Sequence, residues 1–171
     1  EDSPEDLVHD MLQQQIWNKH PLGYIISGSK KIVRKISRDQ ILEFMDTYYV
    51  SGNIVISVAG NFDETEILKL IEAKFAGIKE GKADCNNGKP SYRRVICKKN
   101  KDIEQLHCNI AFDCISYLSE ERYTLSVINS ILGGSINSRL FHKIRENSGL
   151  AYSIYSYGSS YREAGLLHIY A

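Results

Sequence analysis

With 171 residues, 43% of them apolar and 25% charged, the chain has the makeup of one ordinary soluble domain or two small ones, long enough to bury a real core. Its 21 basic residues balance 21 acidic ones, so composition carries no footprint for nucleic acid or an acidic membrane surface. No run approaches the roughly 20 consecutive apolar residues of a membrane span, and the acidic opening Glu1–Asp6 is unlike a secretory leader. Neither nucleic acid nor a membrane is therefore expected as a partner.

Ser3-Pro4-Glu5-Asp6 is a strong helix start, with Ser3 as N-cap, Pro4 at the first helical position and acids in the first turn. Leu7, Val8, Met11, Leu12 and Ile16 continue it as an apolar stripe, which predicts a helix over 4–18. Pro21-Leu22-Gly23 ends it. Ser37-Arg38-Asp39-Gln40 is a capping box opening a second helix over 38–49. The β-branched run 53–59 predicts a buried strand, and Asp63 caps a third helix carrying Ile67, Leu68, Ile71 and Phe75.

Residues 77–91, rich in Gly, Asn and Pro, form the clear linker. Two strand-like runs follow, 93–98 and 105–112, the second alternating Leu106, Cys108, Ile110 and Phe112 with polar neighbours. Ser119 starts a helix through Leu132 with Tyr123, Val127, Ile128 and Ile131 predicted on its buried side, and Gly133-Gly134-Ser135 breaks it. A basic amphipathic helix from Ser138, a break at Asn147-Ser148-Gly149, an alternating strand through Leu150, Tyr152 and Ile154, and a strand 165–171 complete the chain. The expected class is α+β, two layers, with helices packed on one face of antiparallel or mixed sheets.

The four cysteines form no C-x-x-C pair and read as scattered thiols, which fits a reducing, cytoplasmic setting. Gly23 to Lys30 nearly spells a phosphate loop, but Ser29 precedes Lys30 and no strand precedes Gly23, so a structured turn is the better reading. His20, at the end of the first helix, reads as a dipole partner. Five histidines give neither H-E-x-x-H nor H-x-x-E-H, so no catalytic metal site is recognisable in this chain. Arg145 and Tyr152 leave two readings open. They are either a helix-end cation and an ordinary strand aromatic, or a fork of donors and a phenol converging on one peptide-sized ligand.

Several segments match one family in order along nearly the whole chain. Glu1–Asp10 looks like the segment after that family's third zinc ligand. Pro21-Leu22-Gly23 with Gly28 is similar to its P-L-G…G turn, and residues 48–61 to its Y-x-x-x-N-I-V-x-x-x-A-G-N strand. Ser138-Arg-Leu-Phe, Arg145 and Gly149-Leu-Ala-Tyr152 fit its second-domain signature. On these residues the chain resembles the insulinase/pitrilysin family of zinc peptidases, which includes the mitochondrial processing peptidases.

The resemblance implies a piece of a longer protein: 1–79 as the second half of a first, zinc-peptidase domain, 80–91 as linker, and 92–171 as the first half of a homologous second domain. It implies a zinc-dependent endopeptidase that hydrolyses peptides or unfolded polypeptides in an enclosed chamber. The zinc motif H-x-x-E-H and the third ligand would lie before Glu1, leaving no catalytic zinc ligand in this chain. This piece alone is then expected to be inactive, supplying scaffold and two substrate-binding residues, Arg145 and Tyr152, with a peptide as substrate. In the family such a pair holds the scissile carbonyl and stabilises the developing oxyanion. The alternative is a non-catalytic member of the fold that binds or scaffolds. The partners implied are the remaining parts of the parent, and a homo-oligomer formed through half-domain edges.

Overall fold

The computed structural model describes residues 3–83 and 87–171. Among them, five α-helices occur: α1 (Pro4–Ile16), α2 (Lys30–Val33), α3 (Arg38–Tyr48), α4 (Glu64–Phe75) and α5 (Arg122–Leu132). Three strands, β1 (Asn109–Cys114), β2 (Tyr155–Ser160) and β3 (Gly165–Tyr170), and a π-helical turn, Phe141–Glu146, complete the longer elements. Contacts divide the chain into two compact units, Glu1–Ser27 with Asn87–Ala171, and Gly28–Asn86.

In the first unit α1 starts as its residues dictate: the Asp6 N–H donates to Ser3 Oγ at 3.2 Å and Pro4 opens the first turn. The three strands form an antiparallel sheet in the order β1-β3-β2. Its register sets Asn109 and Tyr155 against Tyr170, and Ala111 and Tyr157 against His168. Because side chains alternate across a strand, Leu166, His168 and Tyr170 share one face with Asn109, Ala111, Tyr155 and Tyr157. That face meets α1, and the core lies there: Leu12, Ile16, Trp17, Ala164 and Leu166, flanked by Leu22, Tyr92, Val95, Cys97, Ala111 and Tyr161. Tyr161 meets Trp17 edge-on with ring centroids 5.1 Å apart.

The opposite face takes α5. Ser156 Oγ donates to Asn129 Oδ1 at 2.8 Å, and Leu125 lies against Gly158. A Cβ on Gly133 would stand 2.6 Å from the Ser156 backbone nitrogen, so only glycine lets the end of α5 reach β2. The α+β class and the antiparallel sheet are as expected, with helices meeting the sheet from both sides and not from one. The reason is that both faces of the sheet carry packable surface: His168 and the rings of Tyr155, Tyr157 and Tyr170 toward α1, and on β2 the small residues Ser156 and Gly158 toward α5.

This packing corrects the buried side of α5. Tyr123, Val127, Ile128 and Ile131 are exposed, while Leu125, Asn129 and Leu132 are partly covered. The surface offered by Ser156 and Gly158 accepts close, small or polar neighbours, and this wins over apolarity in choosing the helix face. Three predicted strands are also corrected. Residues 93–98 pair with no strand among the described residues, although Val95 and Cys97 pack on the core and the Tyr92 hydroxyl donates to the Ala111 carbonyl at 3.0 Å. β1 runs 109–114 and not 105–112, and β2 starts at Tyr155 and not near Leu150.

The second unit has helix ends set by side chains. In α3, Ser37 Oγ accepts from the Gln40 N–H at 3.3 Å and Gln40 Oε1 accepts from the Ser37 N–H at 2.9 Å, the reciprocal box read from sequence. Asp63 Oδ1 likewise accepts from the Glu66 N–H at 2.9 Å to open α4. Ser37→Ala should cost about 1 kcal/mol, read as a lower urea midpoint and faster amide exchange in the first turn of α3. Residues 54–59 form no ladder; Ile54 has extended dihedrals, yet Val55 is 93% exposed. A strand needs partners for its N–H and C=O groups, and the described residues of this unit include none. Instead the chain closes through Ser51 N–H to the Lys79 carbonyl at 3.0 Å and Gly52 N–H to the Gly81 carbonyl at 2.9 Å, in what reads as the start of the linker. The rest of that linker, including Cys85, lies in part outside the described residues.

Candidate functional site

The segment bearing Arg145 and Tyr152 is built by two departures from regular helix. The Asn147 N–H donates to the His142 carbonyl at 2.9 Å, five residues back, which makes Phe141–Glu146 a wide π-helical turn. Such turns are rare and gather at functional sites. The turn then ends in a double-bonded reversal: Leu150 N–H to the Ile144 carbonyl at 3.1 Å and Gly149 N–H to the Arg145 carbonyl at 3.2 Å. This Schellman arrangement requires a left-handed residue, and Gly149, at φ +60°, supplies it. The chain therefore doubles back, and residues 151–154 run irregularly toward β2.

The reversal brings the two predicted residues together. The Arg145 guanidinium carbon lies 4.9 Å from the centre of the Tyr152 ring and 4.8 Å from that of Phe141. Stacking of this kind holds a guanidinium by its faces and leaves its N–H edge available. Among the described residues no carboxylate pairs with Arg145. Tyr152 is 84% exposed, so its hydroxyl faces solvent. Beside them His142 and Glu146 are hydrogen-bonded to each other on the same turn. The arrangement is a fork of donors and a phenol set on one exposed corner, suited to hold a carbonyl or carboxylate oxygen.

Sequence reasoning missed a second cluster. His9 of α1 accepts from Asn109 Nδ2 at 2.7 Å and from the Tyr157 hydroxyl at 2.8 Å, both at Nδ1. His168 Nδ1 donates to Asn109 Oδ1 at 3.3 Å, and its ring stacks on Tyr157 at 4.6 Å. Burial, with His9 close by, pushes the His168 imidazole down to about 4. Burial also lowers His9, against the pull of Glu5, Asp6 and Asp10. The Tyr155 hydroxyl donates to Glu5, and burial followed by that bond raises its pKa. The signal was present: alternation puts His168 on the face of Leu166 and Tyr170, but only the fold brings His9 to it. His20 is also reassigned, since its Nδ1 accepts from the Leu22 N–H at 3.2 Å and so caps the turn Pro21–Gly23 that follows α1. The phosphate-loop look-alike is a structured turn, with Ser29 capping α2.

The family model of the peptidase M16 inactive domain matches residues 35–171. The chain belongs to the M16 peptidase family. This bears out the resemblance to the insulinase/pitrilysin peptidases. A Bacillus subtilis strain 168 protein named uncharacterized zinc protease YmxG is 40% identical over 171 residues, covering 99% of this chain and 41% of that protein. A Rickettsia felis protein named uncharacterized zinc protease is 36% identical, over 100% of this chain and 42% of its own length. The chain thus spans about two fifths of the curated relatives it matches. The fold is that of a solved peptidase M16 inactive domain from Pseudomonas fluorescens, with a TM-score of 0.88 at 24% identity over 98% of this chain and 41% of that one. A chain of complex III2 from Candida albicans shares it at a TM-score of 0.84 and 21% identity, over 99% of this chain and 42% of its own.

The family members named zinc proteases raise the question of a metal in this chain. Among the described residues no group of three or more His, Cys, Asp or Glu could hold a metal ion. Catalytic zinc needs three such ligands, so the described residues do not fit it, and no chemistry of theirs is routed through it. Among the described residues no helix is long and apolar enough to cross a membrane.

Proposed function

We propose that this chain is part of a zinc-dependent endopeptidase that hydrolyses peptides or unfolded polypeptides in an enclosed chamber. The zinc and its ligands belong to the remainder of the longer protein. This piece contributes scaffold and a substrate-binding corner, Arg145 with Tyr152, which holds the carbonyl oxygen of the bond to be cut. One observation carries the corner: the Arg145 guanidinium stacks 4.9 Å from the Tyr152 ring on an exposed turn, with no carboxylate partner among the described residues. A guanidinium left without an acid partner has its donors free for a ligand.

To this reading belong 1–79 as the second half of the first domain, 80–91 as linker and 92–171 as the first half of a homologous second domain, whereas α1 packs with residues of the second half. The same reading places the protein in the cytoplasm, with the rest of the parent and a second copy as partners. A second reading, a subunit that binds without cutting, draws on the family description of this region as an inactive domain. Zinc analysis of the full-length protein and an assay on an unfolded polypeptide separate the two. Stoichiometric zinc with cleavage that a chelator abolishes supports the peptidase; a folded protein with neither zinc nor cleavage sinks it in favour of the binding subunit.

A further inference from the structure

The His9–Asn109–His168 chain is a polar relay at the heart of the contact between α1 and the sheet. His168 is 1% exposed, and Asn109 bridges it to His9, whose ring centre lies 6.0 Å from that of His168. A side-chain amide has one donor end and one acceptor end, and each faces a different imidazole. Either orientation of the Asn109 amide gives the same result: only one of the two Nδ1 atoms can carry a proton. A proton added to the other sets N–H against N–H. His168 Nε2 is buried with no hydrogen-bond partner among the described residues, so a proton there would be an unsatisfied buried donor.

We propose that His9, Asn109 and His168 form an acid-sensitive latch that holds α1 on the sheet while both rings are neutral and releases it when either is protonated. The groups around the latch decide its sign. From α1, Glu5, Asp6 and Asp10 favour a charged His9, but burial outweighs them. From the sheet come Tyr155, Tyr157, Tyr170 and Asp113, and His107 sits behind Tyr170, sharing a hydrogen bond of 2.6 Å with its hydroxyl. The three tyrosines have raised pKa values and stay neutral in acid. A His whose folded pKa lies below its free value favours the closed state fully above about pH 6.5, and that preference is lost as pH falls toward 4.

The latch is independent of peptide binding and is read locally. Hydrogen exchange with mass spectrometry on the full-length protein, corrected for intrinsic rates, compares residues 4–16 at pH 7 and pH 5. The expected result is a loss of α1 protection of roughly tenfold or more, while residues 38–48, which contain no histidine, keep theirs. His168→Phe keeps a ring against Tyr157 and should reduce the loss to under threefold. His142→Gln, which changes a histidine of the π-helical turn outside α1 and the sheet, should leave it unchanged. The latch is overturned by pH-independent α1 protection in the wild type, by a full response in His168→Phe, or by its disappearance in His142→Gln. Should His168→Phe fail to fold, the wild-type imidazole C2-proton titration decides. A depressed midpoint that coincides with α1 opening supports the latch; an ordinary midpoint with α1 still protected refutes it.

Discussion

Arg145→Ala in the full-length protein lowers kcat/KM for peptide cleavage by about 10²–10³-fold, the loss expected when one preorganised donor to a developing oxyanion is removed. Arg145→Lys should recover only part of it, because an ammonium keeps the charge but not the planar fork, and it stacks less well between Phe141 and Tyr152. Tyr152→Phe separates two roles of the tyrosine. It retains the ring beside the guanidinium and deletes only the hydroxyl. A fall in kcat/KM means that the hydroxyl touches substrate, while an unchanged value confines Tyr152 to positioning Arg145. All three substitutions lie on an exposed corner, so thermal stability should move by less than about 1 kcal/mol. If Arg145→Ala cuts as fast as the parent while remaining folded, the pair is structural and the corner is not a binding site.

Trp17→Ala should destabilise the first unit by about 3–5 kcal/mol, the cost of removing a large ring from a closed site. Trp17 is 1% exposed, it ends α1, and it packs on Tyr161 within the cluster of Leu12, Ile16, Ala164 and Leu166. Whole domains are stable by only about 5–15 kcal/mol, so this loss brings the unit close to unfolding. It is the sole tryptophan, so urea unfolding must be followed by far-UV circular dichroism. A loss below about 1 kcal/mol, with the slope against urea unchanged, would mean that the site collapses around the cavity or that α1 is not held by this core. The acid latch makes a related demand: both place the grip on α1 in the same contact, one apolar and one polar.

How far the site was legible depends on the range of the interaction. Arg145 and Tyr152 stand seven residues apart, and Gly149 between them marks the reversal that brings them together. That much is local, so the sequence suffices to nominate the pair. The π-helical turn is not local in the same sense. It is one residue wider than the helix the periodicity describes, and nothing in Phe141–Glu146 announces the extra residue. His9 and His168 are 159 positions apart, and no spacing rule connects them. The faces of α5 could not be read either, because its more apolar side is the exposed one.

Local chemistry was enough for the helix starts at Ser3, Ser37 and Asp63, since a cap is a bond between neighbours along the chain. It was enough for the last strand, expected over 165–171 and found as Gly165–Tyr170. The tertiary structure alone decided which extended runs became strands. Residues 54–59 and 93–98 have strand composition but no ladder, because a strand exists only where another chain segment satisfies its backbone groups. It also decided that α1 lies against β1, β2 and β3, turning two scattered histidines and an asparagine into one polar relay with His168 at its buried end. Caps act through a few bonds of sequence, whereas ladders and relays are made by burial between distant segments.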